Sequence, residues 1–164
     1  MTETAGSQDR GELMPRSGVR GFSPSALRQV RAAAHLSPDE LARLIGATRQ
    51  AVGTWERGDS KPSPVMLLAL SNALGVPAAD LAPVREADLR LGDLRAYAGL
   101  TQGAVAKHVA TSTTAISDIE RGFRPVVDEL VAPLAALYGV TQDRVRSVWQ
   151  QTYDAITTRL NARK

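Results

Sequence analysis

Shifting this chain against itself by 64 residues brings two long stretches into ungapped register, and that internal repeat limits the possible folds more than any other feature. Leu27, Val30 and Arg31 fall on Leu91, Leu94 and Arg95, and Leu36-Ser37 falls on Leu100-Thr101. Leu41-Ala42 meets Val105-Ala106, Val52 meets Ile116, and Leu70 meets Leu134. Glu56-Arg57-Gly58 lands on Glu120-Arg121-Gly122, and Gly75-Val76 lands on Gly139-Val140. Apolar positions can coincide by chance, but a shared Glu-Arg-Gly and a shared Gly-Val at one offset are much harder to dismiss. A chain of 164 residues built this way reads as two small units. Each is near the lower size limit for an independent core, so mutual packing would help both.

Start and stop signals cut each repeat into short helices. Ser23-Pro24 offers a cap with proline at the first helical position, followed by a stripe of Leu27, Val30, Arg31 and Ala34. Ser37 and Glu40 have capping-box spacing ahead of Leu41, Leu44 and Ile45, and Gly46 ends that helix. Thr48 caps a third helix with Val52 and Trp55 inward and a stop at Gly58. Ser63-Pro64 opens a fourth helix, closed by Gly75; residues 77–81 make a short fifth, and residues 82–86 read as a linker. The second repeat follows the same plan, with Leu91, Leu94 and Tyr97 on its first helix, then helices over 102–109 and 112–121. Its fourth helix, about 127–138, contains Pro133, which removes one backbone bond and is expected to kink it.

The chain departs from the repeat at its end. Thr141 caps a helix expected to reach about residue 162. On it Val145, Val148, Trp149, Tyr153, Ile156 and Leu160 form one stripe at three- and four-residue steps. A helix of about six turns outruns a small domain. The stripe is therefore expected to serve a homodimer interface as well as the second core.

Composition narrows the class. Aromatic residues are 4% of the chain, which suits closely packed small helices and fits poorly with a β-sandwich or barrel. There is no cysteine, so disulfides, thiolate metal sites and thiol nucleophiles are excluded. No apolar run approaches the roughly 20 residues needed to span a bilayer, and the polar N-terminus lacks a signal-peptide core. A cytoplasmic protein without membrane contact is expected. His35 and His108 stand alone, so no metal site is expected, and nothing in the pattern calls for a cofactor. No phosphate-binding glycine loop, nucleophile elbow or His-Glu-x-x-His pair is present, which argues against an enzyme. The net charge of +3 is a modest electrostatic footprint. Residues 1–22, with Arg10, Arg16 and Arg20 offset by Glu3, Asp9 and Glu12, read as a disordered tail.

Each repeat contains two short helices joined by a tight turn. "LRQVRAAAHLSPDELARLIGATRQAVGTWERGDSKPSP" and "LGDLRAYAGLTQGAVAKHVATSTTAISDIERGFRP" resemble the XRE-type helix-turn-helix family, related to phage lambda repressor and Cro. The resemblance implies an all-α fold of two tandem five-helix lambda-repressor-like domains, 23–83 and 84–164, the second with the extended C-terminal helix. It also implies double-stranded DNA as partner, with the third helix of each unit in the major groove. Carried onto this chain, the base-reading positions are Arg49, Gln50, Gly53 and Thr54 in the first unit. Thr113, Thr114, Ser117 and Asp118 match them in the second. Arg49 suits guanine O6/N7 and Gln50 suits adenine N6/N7, while Gly53 permits close approach.

Phosphate contacts are expected from helix starts and flanking cations: Thr48, Arg57 and Lys61, then Gln102, Ser112, Arg121 and Arg124. The family's glutamine at the start of the second helix is matched by Gln102 but replaced by Pro38 in the first unit. Glu56 and Glu120 are expected to pair with Arg31 and Arg95, the family's internal ion pair. The second unit's reading face has no cation among its four positions, and Asp118 is repelled by phosphate unless it accepts from cytosine N4. Two alternatives stay open there: a weaker half-site reader, or a protein-contact module. The expected function is a sequence-specific regulator, a repressor before an activator, bound to the nucleoid. Its rival is an antitoxin-like adaptor that uses the second unit and the C-terminal helix on a protein partner.

Overall fold

The computed structural model describes residues 18–164. The described chain is all helical: α1 (Pro24–Ala33), α2 (Pro38–Ile45), α3 (Arg49–Arg57), α4 (Pro64–Leu74) and α5 (Ala78–Leu81) make the first unit. After a 3-10 turn at Glu86–Asp88 come α6 (Leu91–Tyr97), α7 (Gln102–His108), α8 (Thr113–Glu120), α9 (Asp128–Tyr138) and α10 (Gln142–Asn161). No helix among the described residues is long and apolar enough to cross a membrane.

Short helices such as these are unstable alone, so their ends and buried faces decide whether they form. Ser23, Ser37, Thr48 and Ser63 each accept a backbone N–H from three residues on, as do Thr101, Ser112 and Thr141. Each bond satisfies a donor that the helix leaves orphaned, worth about 1 kcal/mol against alanine. At Ser37 the capping box closes, with the Ser37 N–H donating to Glu40 at 2.7 Å. These were the starts that the sequence pattern indicated.

The buried faces repeat with the sequence. Leu27, Leu41, Val52, Leu67, Leu70 and Leu81 are the largest fully buried side chains of the first core. Leu91, Val105, Ile116, Val131, Leu134 and Val145 are those of the second, and each lies 64 residues after its counterpart. Full burial of each such side chain contributes roughly 1.5–3 kcal/mol. The polar scaffold repeats as well. Arg31 donates to both carboxylate oxygens of Glu56 at 2.5 and 3.1 Å and to the Leu36 carbonyl at 2.8 Å. Arg95 does the same to Glu120 at 2.5 and 3.2 Å and to the Leu100 carbonyl at 2.7 Å. Arg31 and Arg95 are thereby bound to the start of the following helix in both units.

Three expectations need adjustment. Residues 18–22 do not belong to a tail: Val19 and Phe22 are buried in the first core, and the Val19 N–H donates to the Pro62 carbonyl at 3.0 Å. Residues 1–17, with Arg10 and Arg16, lie outside the described residues. Ala82, read as the start of a linker, is fully buried in the first core. Helix α9 carries Pro133 in its interior, as the sequence places it. Val145 and Val148, expected on a partner-facing stripe, are 0% and 2% exposed inside the second core, so they are closed to any partner. The reason is geometric: α10 packs against α9, α6 and α8, and Val145 and Val148 face that core. The stripe's periodicity had fixed which face is apolar, but not what covers it.

Candidate nucleic-acid interface

In the first unit α2 and α3 pack on each other across the turn at residues 46–48, where Gly46 takes a left-handed φ of 69°. Val52 and Trp55 anchor the inner side of α3, and buried Glu56 is held there by Arg31. Anchoring one side of a nine-residue helix this firmly fixes what the other side presents. Arg49 and Gln50 stand exposed on the first turn, just after the Thr48 cap. Both have several side-chain donors, and neither is held by a side-chain bond within the described residues.

The other expected base readers are placed differently. A Cβ at Gly53 would stand 3.0 Å from the Arg57 Nη1, so the bare backbone there lets the Arg57 guanidinium lie along α3. Thr54 is half-buried and committed to the turn beyond the helix: its hydroxyl donates to the Ala51 carbonyl at 2.8 Å and accepts from Ser60 at 2.8 Å. Of the phosphate candidates, Thr48 spends its hydroxyl on the Ala51 N–H at 3.0 Å. Arg57 pairs with Asp59 at 2.9 Å in the open, a contact that solvent and salt weaken. Lys61 is exposed, with its stem against Gly18.

One residue absent from the sequence reading joins this face. Arg28 on α1 donates to the Glu56 carbonyl and lines a cleft together with Arg49, Gln50, Gly53 and Arg57. Its only sequence signal is its place one turn before Arg31. The cleft begins at Pro38, the first residue of α2. Three arginines therefore line the same cleft as Gln50.

The corresponding face of the second unit is chemically different. Gly92, Thr113 and Arg121 stand where the first unit has Arg28, Arg49 and Arg57. Thr113 and Thr114 are exposed, and Ser117 and Asp118 are half-buried. Asp118 accepts from Arg121 at 2.6 Å, and the same guanidinium lies 5.2 Å from the Phe123 ring centre. That pairing removes the unpartnered carboxylate and also occupies the cation. Gln102 turns inward to donate to Glu120 at 2.8 Å, beside the two bonds from Arg95. Ser112 caps α8, and Arg124 is exposed, its carbonyl accepting the Trp149 indole N–H at 3.0 Å.

Of the remaining dimer candidates, Trp149 lies in the first half of α10 against the second core, and Tyr153, Ile156 and Leu160 occupy the far half. Trp149 is half-buried and stacks on Tyr153 with ring centres 5.2 Å apart. Tyr153 and Leu160 are exposed, and Ile156 is half-buried against Gly122. Phe123, 58% exposed, and Val127, 47%, are apolar side chains on this unit's surface that the stripe did not include.

Two family models match the chain. One, described as Helix-turn-helix, covers residues 27–81, and the other, described as Helix-turn-helix domain, covers residues 89–148. The first spans from within α1 to the end of α5, and the second runs from just before α6 into α10. No curated protein and no solved structure matches the chain.

Proposed function

The chain belongs to the helix-turn-helix DNA-binding family, with two units in tandem, and from that premise we propose that it is a sequence-specific transcriptional regulator reading duplex DNA chiefly with α3. The observation that carries this reading is the pair of unengaged donors Arg49 and Gln50 on the outer side of α3, flanked by Arg28 and Arg57. A helix held in the major groove by such a surface reads guanine with Arg49 and adenine with Gln50, each bidentate contact worth about 1–3 kcal/mol of discrimination. Arg28, Arg57 and Lys61 supply the phosphate attraction that positions it. The second unit presents Thr113, Thr114 and Ser117 beside a neutralised Asp118–Arg121 pair, which suits a weaker second head. Repression by occupying a promoter is the simplest outcome for such a reader. Self-association through Tyr153, Ile156 and Leu160 would bring two copies to a palindromic operator.

A protein-binding adaptor is the second reading. It is favoured by one feature: α8 carries no unpaired cation, while Phe123, Val127, Tyr153 and Leu160 are exposed on the same unit. Selection of purified full-length chain on a random duplex library separates the two. The DNA-reading proposal expects one enriched motif, with Arg49→Ala losing preference at a single base pair. Failure to enrich any sequence from the library would favour the adaptor.

A further inference from the structure

We infer that the two units form a single rigid reader in which Arg20 is a positioning residue, so that the spacing between the two half-sites is built into the protein. This rests on the reading that both units contact the duplex. The interface joins unlike surfaces: α4 of the first unit packs on α6 of the second. Ala96 on α6 is buried in the first unit's core, and Tyr97 packs against both cores while donating to the Ala82 carbonyl at 2.7 Å. Gly99, at φ 73°, leaves room for Leu68, since a Cβ there would stand 2.5 Å from Leu68 Cδ2.

Arg20 clamps this junction from the side. Its guanidinium grips the Asp93 carboxylate with two bonds, at 3.0 and 2.5 Å, and donates to the Asp88 carbonyl at 2.6 Å. Asp93 is 4% exposed and also closes the start of α6 by accepting the Arg90 N–H at 2.9 Å. A bidentate grip on a buried carboxylate adds geometric specificity to the pair, so it orients the Arg20 guanidinium at the junction.

The repeat itself shows that this junction is specialised. Sixty-four residues earlier, the places of Asp93, Ala96, Tyr97 and Gly99 hold Gln29, Ala32, Ala33 and His35, all exposed. The place of Leu68 in the second unit holds Ala132, also exposed. The docking surfaces therefore exist only where the two units meet, and nothing in either helix-turn-helix requires them. The junction also reaches the start of α7 and the end of α8 in the second unit. A single cleft is lined by Gly18 and Ser63 of the first unit and by Gln102, Gly103 and Arg121 of the second. Ser63 ends the loop that leaves α3.

A rigid pair of heads meets DNA at one separation only. Inserting two base pairs between half-sites turns the second by about 70° around the duplex, beyond the reach of a fixed head. The test uses the full chain and its Arg20→Ala and Asp93→Asn variants on random duplexes, then on the enriched sequence with zero to four inserted base pairs. Wild type is expected to enrich a two-part motif with one gap length and to lose at least about tenfold in affinity on a two-base-pair insertion. Arg20→Ala should lose less than about threefold on the same insertion, and Arg20→Lys, which cannot grip with two prongs, should fall between. ¹⁵N relaxation of the unbound protein supplies a readout independent of DNA. One tumbling time for both units in wild type and two in Arg20→Ala support the lock; two in wild type overturn it. Equal tolerance of insertions in wild type and variant, or a one-part motif, overturns the inference while leaving DNA reading by α3 intact. Absence of any enriched duplex defeats the underlying reading instead.

Discussion

Glu120→Ala isolates the polar scaffold that ties α8 to α6 and α7 in the second unit. The carboxylate is 8% exposed and accepts two bonds from Arg95 and one from Gln102. Arg95 has only 13% of its side chain exposed, so deleting Glu120 leaves a cation largely out of water with the Leu100 carbonyl as its remaining hydrogen-bond partner. Removing one partner of a buried pair typically costs 3–5 kcal/mol, most of it the penalty of the uncompensated charge. Allowing for the residual exposure of Arg95, about 3 kcal/mol is expected, or a fall of roughly 6–12 °C in Tm for a chain of this size. Urea unfolding of the full chain, followed by far-ultraviolet circular dichroism and by the fluorescence of Trp55 and Trp149, measures it. The companion Arg95→Met/Glu120→Leu double variant should recover more than half of the loss, because the unpaired charge is gone. A loss under about 1 kcal/mol for Glu120→Ala, or a double variant worse than the single one, would refute the reasoning.

Three further outcomes follow from particular contacts. Arg49→Ala should relax preference at one base pair by about 5- to 150-fold while general duplex affinity falls less, as measured by competition against single-base operator variants. Truncation after residue 154 or Leu160→Ser should shift a dimer toward monomer in sedimentation without lowering Tm by more than a few degrees; truncation after 143 should instead unfold the second unit, because Val145 and Val148 belong to its core. Burial pushes the Tyr138 phenol above its ordinary value. A group whose folded-state pKa is raised gives stability that is complete below its unfolded value, about 10, and lost as pH rises beyond it. Urea midpoints should therefore fall above that pH, and Tyr138→Phe should flatten the fall.

Much of the fold was legible because it is local or periodic. Caps such as Ser37 and Thr48 announce themselves within four residues, and the 64-residue repeat pairs the six largest buried side chains of one core with those of the other. The Arg31–Glu56 and Arg95–Glu120 pairs followed from the family resemblance, and the structure has both. What escaped is tertiary. Val19 and Phe22 lie in a stretch without period, so nothing local marks them as core. The grip of Arg20 on Asp93 spans 73 residues and joins two units that the repeat treats as equivalent. Arg28 reaches the α3 cleft only because α1 packs on that helix. Gln102 matches a family position in sequence, yet the neighbouring Glu120 draws its amide inward, a competition that spacing does not reveal.

The most direct test of groove reading by α3 is an NMR titration of the ¹⁵N-labelled full chain with its selected duplex at about 50 mM salt. The largest amide shifts should fall on residues 48–57 and on Arg28, with smaller ones across 112–121, and all should shrink steeply as salt is raised. Shifts confined to residues 149–164, or none at low ionic strength, would contradict it.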